Sequence, residues 1–191
     1  MKFRCERDAL VEQLSTASRA VSSRGGALPV LTGIHLKAHK ETLTMTGSDL
    51  EITVRASVAV DVKESGEAVL PSRIVVDIIR SLDSGAVEVE VSGEEAKISG
   101  GRSQFSVRTL PVDDFPALSD PSGDQVTVAT ADLAAGLKQV VRAASGDDAR
   151  PILTGVLMSA EDGGLRLVAT DSYRLAVRDL PEATVLSEGQ K

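Results

Sequence analysis

The chain has 191 residues, of which 42% are hydrophobic and 26% are charged, a globular composition with room for one domain and part of a second. Its net charge of −7 argues against a uniformly basic nucleic-acid-wrapping surface, and the lack of Trp with only three Phe and one Tyr argues against a single-strand binder that stacks bases. No membrane span or secretory signal is visible, and the single cysteine, Cys5, fits a reducing compartment, so we expect a cytoplasmic protein.

The first predicted helix covers residues 6–23. Apolar residues recur there at steps of three and four, which is the spacing of one buried helical face. They are Leu10, Leu14, Ala17 and Val21. Farther along, apolar residues occupy even positions between Leu50 and Val62 with polar residues between them. That alternation predicts one long, half-buried strand.

A second predicted helix begins at Ser72 and stops at Gly85. Its apolar side is Val75, Val76, Ile79 and Leu82. Alternation at residues 87–91 and the glycine turns that follow predict three more strands, of which the last two cover 95–99 and 102–109. The first unit thus reads β-α-βββ-α-βββ. Three of the seven prolines and four aspartates then mark residues 111–125 as an exposed linker.

An internal repeat organises the chain. Residues 28–55 and 150–177 align without a gap at an offset of 122, with seven identities in 28 positions. The identical pairs are Pro29/Pro151, Leu31/Leu153, Thr32/Thr154, Gly33/Gly155, Ala38/Ala160, Leu43/Leu165 and Asp49/Asp171. A helix precedes each copy, and the two helices match at an offset of 123. We expect an α+β fold with a first domain in residues 1–120 and a truncated second domain in residues 121–191.

Four stretches carry a resemblance to a known family: LPVLTG at 28–33, LTMTGSDLE at 43–51, GGRSQFSVRTLPVDDFP at 100–116 and VATDSYRLAV at 168–177. They resemble the bacterial DNA sliding clamp, the beta subunit of DNA polymerase III. The resemblance implies repeated units with helices on one face, three per chain, closed by head-to-tail dimerisation into a ring around duplex DNA. It therefore implies that the third unit and the rest of the second are absent here.

The helices and the turns after them hold eight basic and six acidic residues, so they are mildly basic within an acidic protein. Ordinary solvated helix faces would look the same. With the resemblance, the pattern implies a lining that attracts phosphates weakly enough to slide. The implied DNA-facing residues are Arg24, Arg73, Arg80, Lys138, Arg142 and Arg150. The loop 147–152 departs from the family's pattern at Asp147, Pro151 and Ile152, which puts its contact with DNA in doubt.

The resemblance also implies a cleft that recruits the replicative polymerase, clamp loader and repair proteins through short peptides with apolar anchors. Its half on this chain consists of Leu153, Thr170, Ser172, Tyr173, Arg174 and Leu175. Leu153 and Leu175 could instead be core residues of a strand pair. Because the other half belongs to the missing unit, we expect weak or absent peptide binding by this chain.

The ring seam of the family falls on the strand from Arg102 to Leu110. Arg102 is its basic residue and Val107 its apolar contact, while Gln104 and Ile74 replace two other basic residues. An ordinary edge strand with an arginine that blocks aggregation is the alternative. We expect a monomer, or a non-native pairing through this edge.

Little supports an enzyme. We expect His35 and His39 to be solvated strand residues, because no cysteine or carboxylate cluster completes a metal set. Gly25-Gly26 lacks the lysine of a P-loop, and no Ser/His/Asp set is evident. We therefore expect no catalytic residue, no metal and no cofactor. Two alternatives stay open. One is a metal-dependent nuclease using Asp113-Asp114 and Asp147-Asp148, and the other is a peptide-binding module that acts without DNA.

Overall fold

The computed structural model describes residues 1–22, 28–118, 127–161 and 164–180. The chain forms two compact units, Met1–Leu118 and Ser119–Lys191. The first unit contains β1 (Lys2–Glu6), α1 (Arg7–Ala17), β2 (Gly33–His39), β3 (Thr42–Ser48), β4 (Thr53–Ala59), β5 (Asp61–Glu64), β6 (Gly66–Pro71), α2 (Ser72–Ser81), β7 (Ala86–Ser92), β8 (Glu95–Gly100) and β9 (Ser103–Arg108). The second contains α3 (Thr130–Val140), β10 (Leu157–Glu161), β11 (Gly164–Thr170) and β12 (Leu175–Leu180).

Two antiparallel sheets build the first unit, in the strand orders β5-β1-β7-β8-β9 and β4-β3-β2-β6. The unit contains two halves of the same element order, β1-α1-β2-β3-β4 and β6-α2-β7-β8-β9. The first strand of each half pairs inside the sheet of the other half, since β1 lies beside β7 and β6 beside β2. Neither half can therefore complete its own sheet alone.

One predicted element is wrong. The alternating stretch from Leu50 to Val62 is a turn followed by two strands, because β4 ends at Ala59 and β5 begins at Asp61 in the other sheet. Five strands, not three, separate the two helices. Both short strands bury one face, so the two-residue alternation of apolar residues continues from β4 into β5. The break between the two strands is therefore not visible in the sequence pattern. Leu50 and Ile52 lie before β4 with exposed side chains.

A single core joins both helices to both sheets of the first unit. As predicted, α1 buries Leu10, Leu14 and Ala17, and α2 buries Val75, Val76 and Ile79. The end of α1 lies so close to β3 that a Cβ added at Gly47 would collide with the carbonyl oxygen of Ala17. Glycine at position 47 therefore sets how closely this helix approaches its sheet.

In the second unit, α3 packs on β11 and β12 of the three-stranded sheet β10-β11-β12. Its core consists of Val140, Ala143, Leu165, Leu167, Ala169 and Leu180. Ala169 occupies the position that matches Gly47, and here the glycine lies on the helix instead. A Cβ added at Gly136 would come within 2.9 Å of Leu167 Cδ1. Each unit thus uses one glycine for close helix–sheet contact, which lies on the strand in the first unit and on the helix in the second.

The predicted linker begins as a packed segment, which corrects its assignment as exposed. The backbone N–H of Leu110 donates to the Val69 carbonyl at 2.8 Å, and Leu110, Val112 and Phe115 pack against a small cluster of the first unit. That cluster is Val30, Leu31 and Val69. Residues 119–126 lie outside the described ranges. Within those ranges, no helix is both long and apolar enough to cross a membrane.

Candidate functional site

Two turns, residues 48–52 and 170–174, share one hydrogen-bonding scheme. Asp49 Oδ1 accepts the backbone N–H groups of Glu51 and Ile52 at 3.0 and 2.7 Å. Asp171 Oδ1 accepts those of Tyr173 and Arg174 at 3.0 and 2.9 Å. These backbone hydrogen bonds hold the pKa of both carboxyl groups below the usual range.

The residue after each aspartate adopts the left-handed conformation, with φ of 78° at both Leu50 and Ser172. A hydroxyl closes each turn. Ser48 Oγ accepts the Leu50 N–H at 3.1 Å and donates to the Ile52 carbonyl at 3.2 Å. Thr170 Oγ1 likewise accepts the Ser172 N–H at 3.1 Å and donates to the Arg174 carbonyl at 2.7 Å.

The repeat extends upstream of these turns. Short 3-10 turns begin at Pro29 and Pro151, and in each the hydroxyl of Thr32 or Thr154 donates to the proline carbonyl at 2.8 Å. β3 and β11 also begin at the same offset of 122 residues, as do β4 and β12. The predicted internal repeat is therefore confirmed for the described residues, down to individual hydrogen bonds.

The structure brings the predicted partner-binding residues of the second unit together around the 170–174 turn. Tyr173 and Leu175 are 95% and 66% exposed, so Leu175 is not a core residue. The guanidinium of Arg174 is fixed by Asp171, with Nε to Oδ2 at 3.0 Å. Leu153 is half-buried in the neighbouring 3-10 turn. The site therefore offers exposed apolar side chains beside oriented polar groups.

Sequence reasoning missed a continuation of this surface. Leu157 pairs with Val168, and Val168 with Val177, so the three side chains form a row across one face of the sheet. Leu157 and Val177 are largely exposed. The alternation of β11 and β12 indicates two faces but does not tell which face the helix covers, so this row could not be assigned from the pattern alone.

In the first unit, Arg73 and Arg80 lie at opposite ends of α2 and open on one cleft of about 510 Å³. Hydroxyl groups line the cleft as well, and among its described lining residues Asp77 is the only acid. The remaining lining residues are Ser18, Val21, Ser22, Thr32, Ser72 and Val76. Arg80 is steered by Ser15 Oγ at 3.3 Å and Asp77 Oδ1 at 3.8 Å. Exposed guanidinium and hydroxyl donors are suited to phosphate oxygens. Arg24 lies outside the described residues.

The predicted basic residues of the second unit differ in exposure and in how far local contacts hold their side chains. Lys138, in the last turn of α3, and Arg142, in the 3-10 turn after it, are exposed. Arg150 is committed locally, because its Nε lies 3.2 Å from Asp147 Oδ2 and its Nη1 donates to Ser172 Oγ at 3.1 Å. It therefore links the loop 147–152 to the 170–174 turn.

The seam residues are placed differently from each other. β9 is an edge strand, and Arg102 lies exposed in the turn before it. Val107, however, is only 7% exposed and belongs to the main core. It lies opposite Ala96, whose small side chain leaves room for it. Val107 is therefore corrected from a contact with another chain to a core residue, and Phe105 is the more exposed apolar residue of β9.

His35 is not a solvated strand residue, in contrast to our expectation. Its half-buried ring stacks on Phe115 with centroids 5.0 Å apart, and its Nε2 lies 3.1 Å from Glu67 Oε2. Lys37 and His35 hold the pKa of Glu67 below its usual range. His39 is exposed. In the described ranges, no group of three or more His, Cys, Asp or Glu could hold a metal ion.

Comparisons with known proteins agree over most of the chain. The family model of the DNA polymerase III beta subunit N-terminal domain matches residues 1–119, and that of its central domain matches residues 127–190. The chain is 38% identical over 179 residues to the beta sliding clamp of Streptomyces coelicolor, covering 94% of this chain and 47% of that protein. It is 37% identical over 180 residues to the beta sliding clamp of Micrococcus luteus, covering 94% and 58%.

Solved structures agree as well. The DNA polymerase III subunit beta of Pseudomonas aeruginosa is 32% identical, with a TM-score of 0.91 over 98% of this chain and 51% of that one. A structure from the same organism bound to griselimycin gives 0.90. The Bacillus subtilis DNA polymerase sliding clamp is 34% identical with a TM-score of 0.87, covering 94% of this chain and 50% of that one. The chain thus spans about half the length of most of these relatives.

Proposed function

Because both matches together cover most of its residues, the chain belongs to the DNA polymerase III beta subunit family, and we propose that it acts in DNA replication as a sliding clamp. In this role it forms part of a closed ring that encircles duplex DNA and tethers a polymerase, without catalysing a reaction itself. The observation that carries the proposal is the fold match over 98% of the chain. The hydrogen-bonded repeat supports it, because a ring is naturally built from repeated units.

The proposed DNA-facing surface includes the α2 cleft with Arg73 and Arg80, together with Lys138 and Arg142 in the second unit; Arg24 and Arg150 belong to the same proposal. Each arginine can neutralise a phosphate, and contacts to phosphates carry no sequence information. The net charge of −7 keeps overall attraction weak. Weak, sequence-independent contacts suit a protein that slides, because enclosure rather than affinity retains it on DNA.

The turn at 170–174, with Leu153, is this chain's half of the proposed site for partner peptides. Exposed Tyr173 and Leu175 offer apolar contacts, while Thr170, Ser172 and Arg174 offer polar ones. The Pseudomonas aeruginosa relative bound to griselimycin supports a ligand-binding role for this fold. We further propose a cytoplasmic protein whose partners are the replicative polymerase, clamp loader and repair proteins. The β9 edge, with Arg102, would serve as the seam of a homodimeric ring.

Duplex binding by the full chain tests the DNA-facing surface. The wild-type chain should bind duplex DNA without sequence preference, with a Kd of about 10⁻⁴–10⁻⁶ M at physiological salt. The double variant R73A/R80A should reduce the slope of log K against log salt by roughly 2, about one per lost phosphate contact. Arg108→Ala is a matched control, because Arg108 is an exposed arginine on β9, away from α2. Equal loss in the control, or an unchanged slope in the double variant, would refute the placement.

A further inference from the structure

Arg150 joins two segments of the second unit through its side chain. Its Nε lies 3.2 Å from Asp147 Oδ2 in the loop 147–152, and its Nη1 donates to Ser172 Oγ at 3.1 Å in the 170–174 turn. The backbone N–H of Arg150 also donates to the Asp147 carbonyl at 3.0 Å, which fixes the loop end of this link. One guanidinium therefore holds the turn against an ordered loop.

Ser172 is the strained residue of this turn. Its φ of 78° lies in the left-handed region, which is unfavourable for a residue with a Cβ. Thr170 Oγ1 accepts its backbone N–H at 3.1 Å and Arg150 donates to its hydroxyl, so its backbone and its side chain are both fixed. The exposed Tyr173 follows directly in the chain, so the position of Ser172 determines where Tyr173 begins. Arg150 thus acts on the proposed peptide site through Ser172.

The first unit builds the same turn without this link. At the offset of 122 residues, Leu28 matches Arg150 and Leu50 matches Ser172. Leu50 has the same φ of 78°, and neither leucine side chain can form a hydrogen bond. The turn therefore does not need the arginine–serine pair in order to form. The pair is an addition in the unit that carries the proposed peptide site, which indicates a role beyond folding of the turn.

The guanidinium of Arg150 is open to a competing ligand. The side chain of Arg150 is 44% exposed and that of Asp147 is 49% exposed. An exposed ion pair of this kind is weak, whereas a phosphate group offers a guanidinium two charge-assisted hydrogen bonds at once.

We propose that Arg150 is a phosphate-sensitive positioning residue, which orders the 170–174 turn through Ser172 and releases the turn when a phosphate binds the guanidinium. The inference rests on the proposed clamp function for its natural ligand, since duplex DNA would supply that phosphate. By linkage, a peptide that needs the ordered turn and a phosphate that binds Arg150 weaken each other's binding.

Backbone hydrogen exchange, measured by NMR on the full chain, tests the positioning role. In Arg150→Leu, exchange of the Tyr173 N–H should become about three- to tenfold faster, the range expected for loss of one hydrogen bond. The N–H of Glu51, the matching residue of the first-unit turn, is the internal control and should exchange as in wild type. Arg108→Leu, which removes an exposed arginine from β9, should change neither rate. Signals of α3 that stay in place show that the second unit remains folded.

A second variant shows whether Arg150 acts through Ser172. Ser172→Ala removes the acceptor and keeps the Cβ, so adding Arg150→Leu to it should speed Tyr173 exchange by less than about twofold. Equal acceleration in both backgrounds would overturn the positioning role, because Arg150 would then act on the unit in general. Unchanged Tyr173 exchange in Arg150→Leu would overturn it as well.

Two phosphate probes, a labelled duplex DNA and inorganic pyrophosphate, test the release of the turn. At saturation, each should speed Tyr173 exchange in wild type about three- to tenfold and change it less than about twofold in Arg150→Leu. An effect of pyrophosphate alone would support the phosphate-sensitive role and count against DNA as the ligand of this loop, and so against the proposed function there. If the duplex binds by fluorescence anisotropy but neither probe changes Tyr173 exchange, the inference fails and the proposed function stands.

Discussion

Replacing Gly47 by alanine should destabilise the first unit, because the new methyl group has no space. Its nearest neighbour would be the carbonyl oxygen of Ala17, a backbone atom at the end of α1 that cannot rotate away. The helix end must therefore move out by roughly 1 Å, which loosens the contacts of Leu14 and Ala17, both almost fully buried. Overpacking of this kind costs about 1–3 kcal/mol.

The expected net effect is a loss of about 2 kcal/mol. Opening about 80 Å² of apolar surface around the helix end costs about 2 kcal/mol at 25 cal/mol per Å². Strain in the displaced turn adds to this, while the lower chain entropy of unfolded alanine offsets about 0.5–1 kcal/mol. The single cysteine, Cys5, lies buried in the same core, so its alkylation in increasing urea gives a midpoint specific to the first unit.

Gly100→Ala is the matched control. Gly100 is also buried in a strand, but a Cβ there meets Leu82 Cδ1 at 3.1 Å, the end of a side chain that can shift. It should cost less than about 1 kcal/mol. If the Gly47 variant unfolds at the same urea concentration as the control, backbone collision is not what limits the approach of α1 to β3.

Two further predictions concern ionisable groups. Burial raises the pKa of the Cys5 thiol, whose Sγ donates to the Ala59 carbonyl at 3.8 Å. Alkylation of Cys5 should therefore be at least about a thousandfold slower in the native chain than in the unfolded chain. Fast labelling of the native chain, measured by mass spectrometry, would contradict this. Arg166 donates to Asp179 from Nε at 2.6 Å and Nη2 at 3.2 Å, which lowers the pKa of Asp179. The stabilisation that this ion pair gives the fold should be fully present above the ordinary aspartate pKa of about 3.9 and be lost as the pH falls through the lowered pKa of Asp179. The difference in Tm between wild type and Asp179→Asn should therefore become smaller in acid. A difference that stays constant with pH would disprove the linkage.

The sequence predicted the repeat because the repeat resides in side chains that build turns. Pro29 and Pro151 start matching 3-10 turns, and Asp49 and Asp171 organise matching loops, so identity at these positions reports local geometry directly. The buried faces of α1 and α2 were predicted for a similar reason, since a helical period fixes which residues share a face.

Other features depended on partners that are distant in the sequence. The change of sheet at Val60 left the alternation intact, and the burial of Val107 follows from the small Ala96 on the neighbouring strand. Phe115 packs because its ring stacks on His35. The proline-rich, acidic stretch around Phe115 predicts an exposed linker and gives no sign of this contact. The left-handed conformation of Leu50 has no signal in residue type, because leucine is among the less expected residues there.

The exchanged first strands also bear on how the protein is made. Lys2 contacts Glu90, 88 residues later. β1 can pair with β5 first, but its place inside the sheet is complete only after β7 has left the ribosome. At about 5–20 residues per second, β1 waits several seconds for β7 to be synthesised. Such a delay favours chaperone capture during translation, and slowing elongation ahead of β7 would prolong the interval in which the emerging chain is vulnerable to proteases.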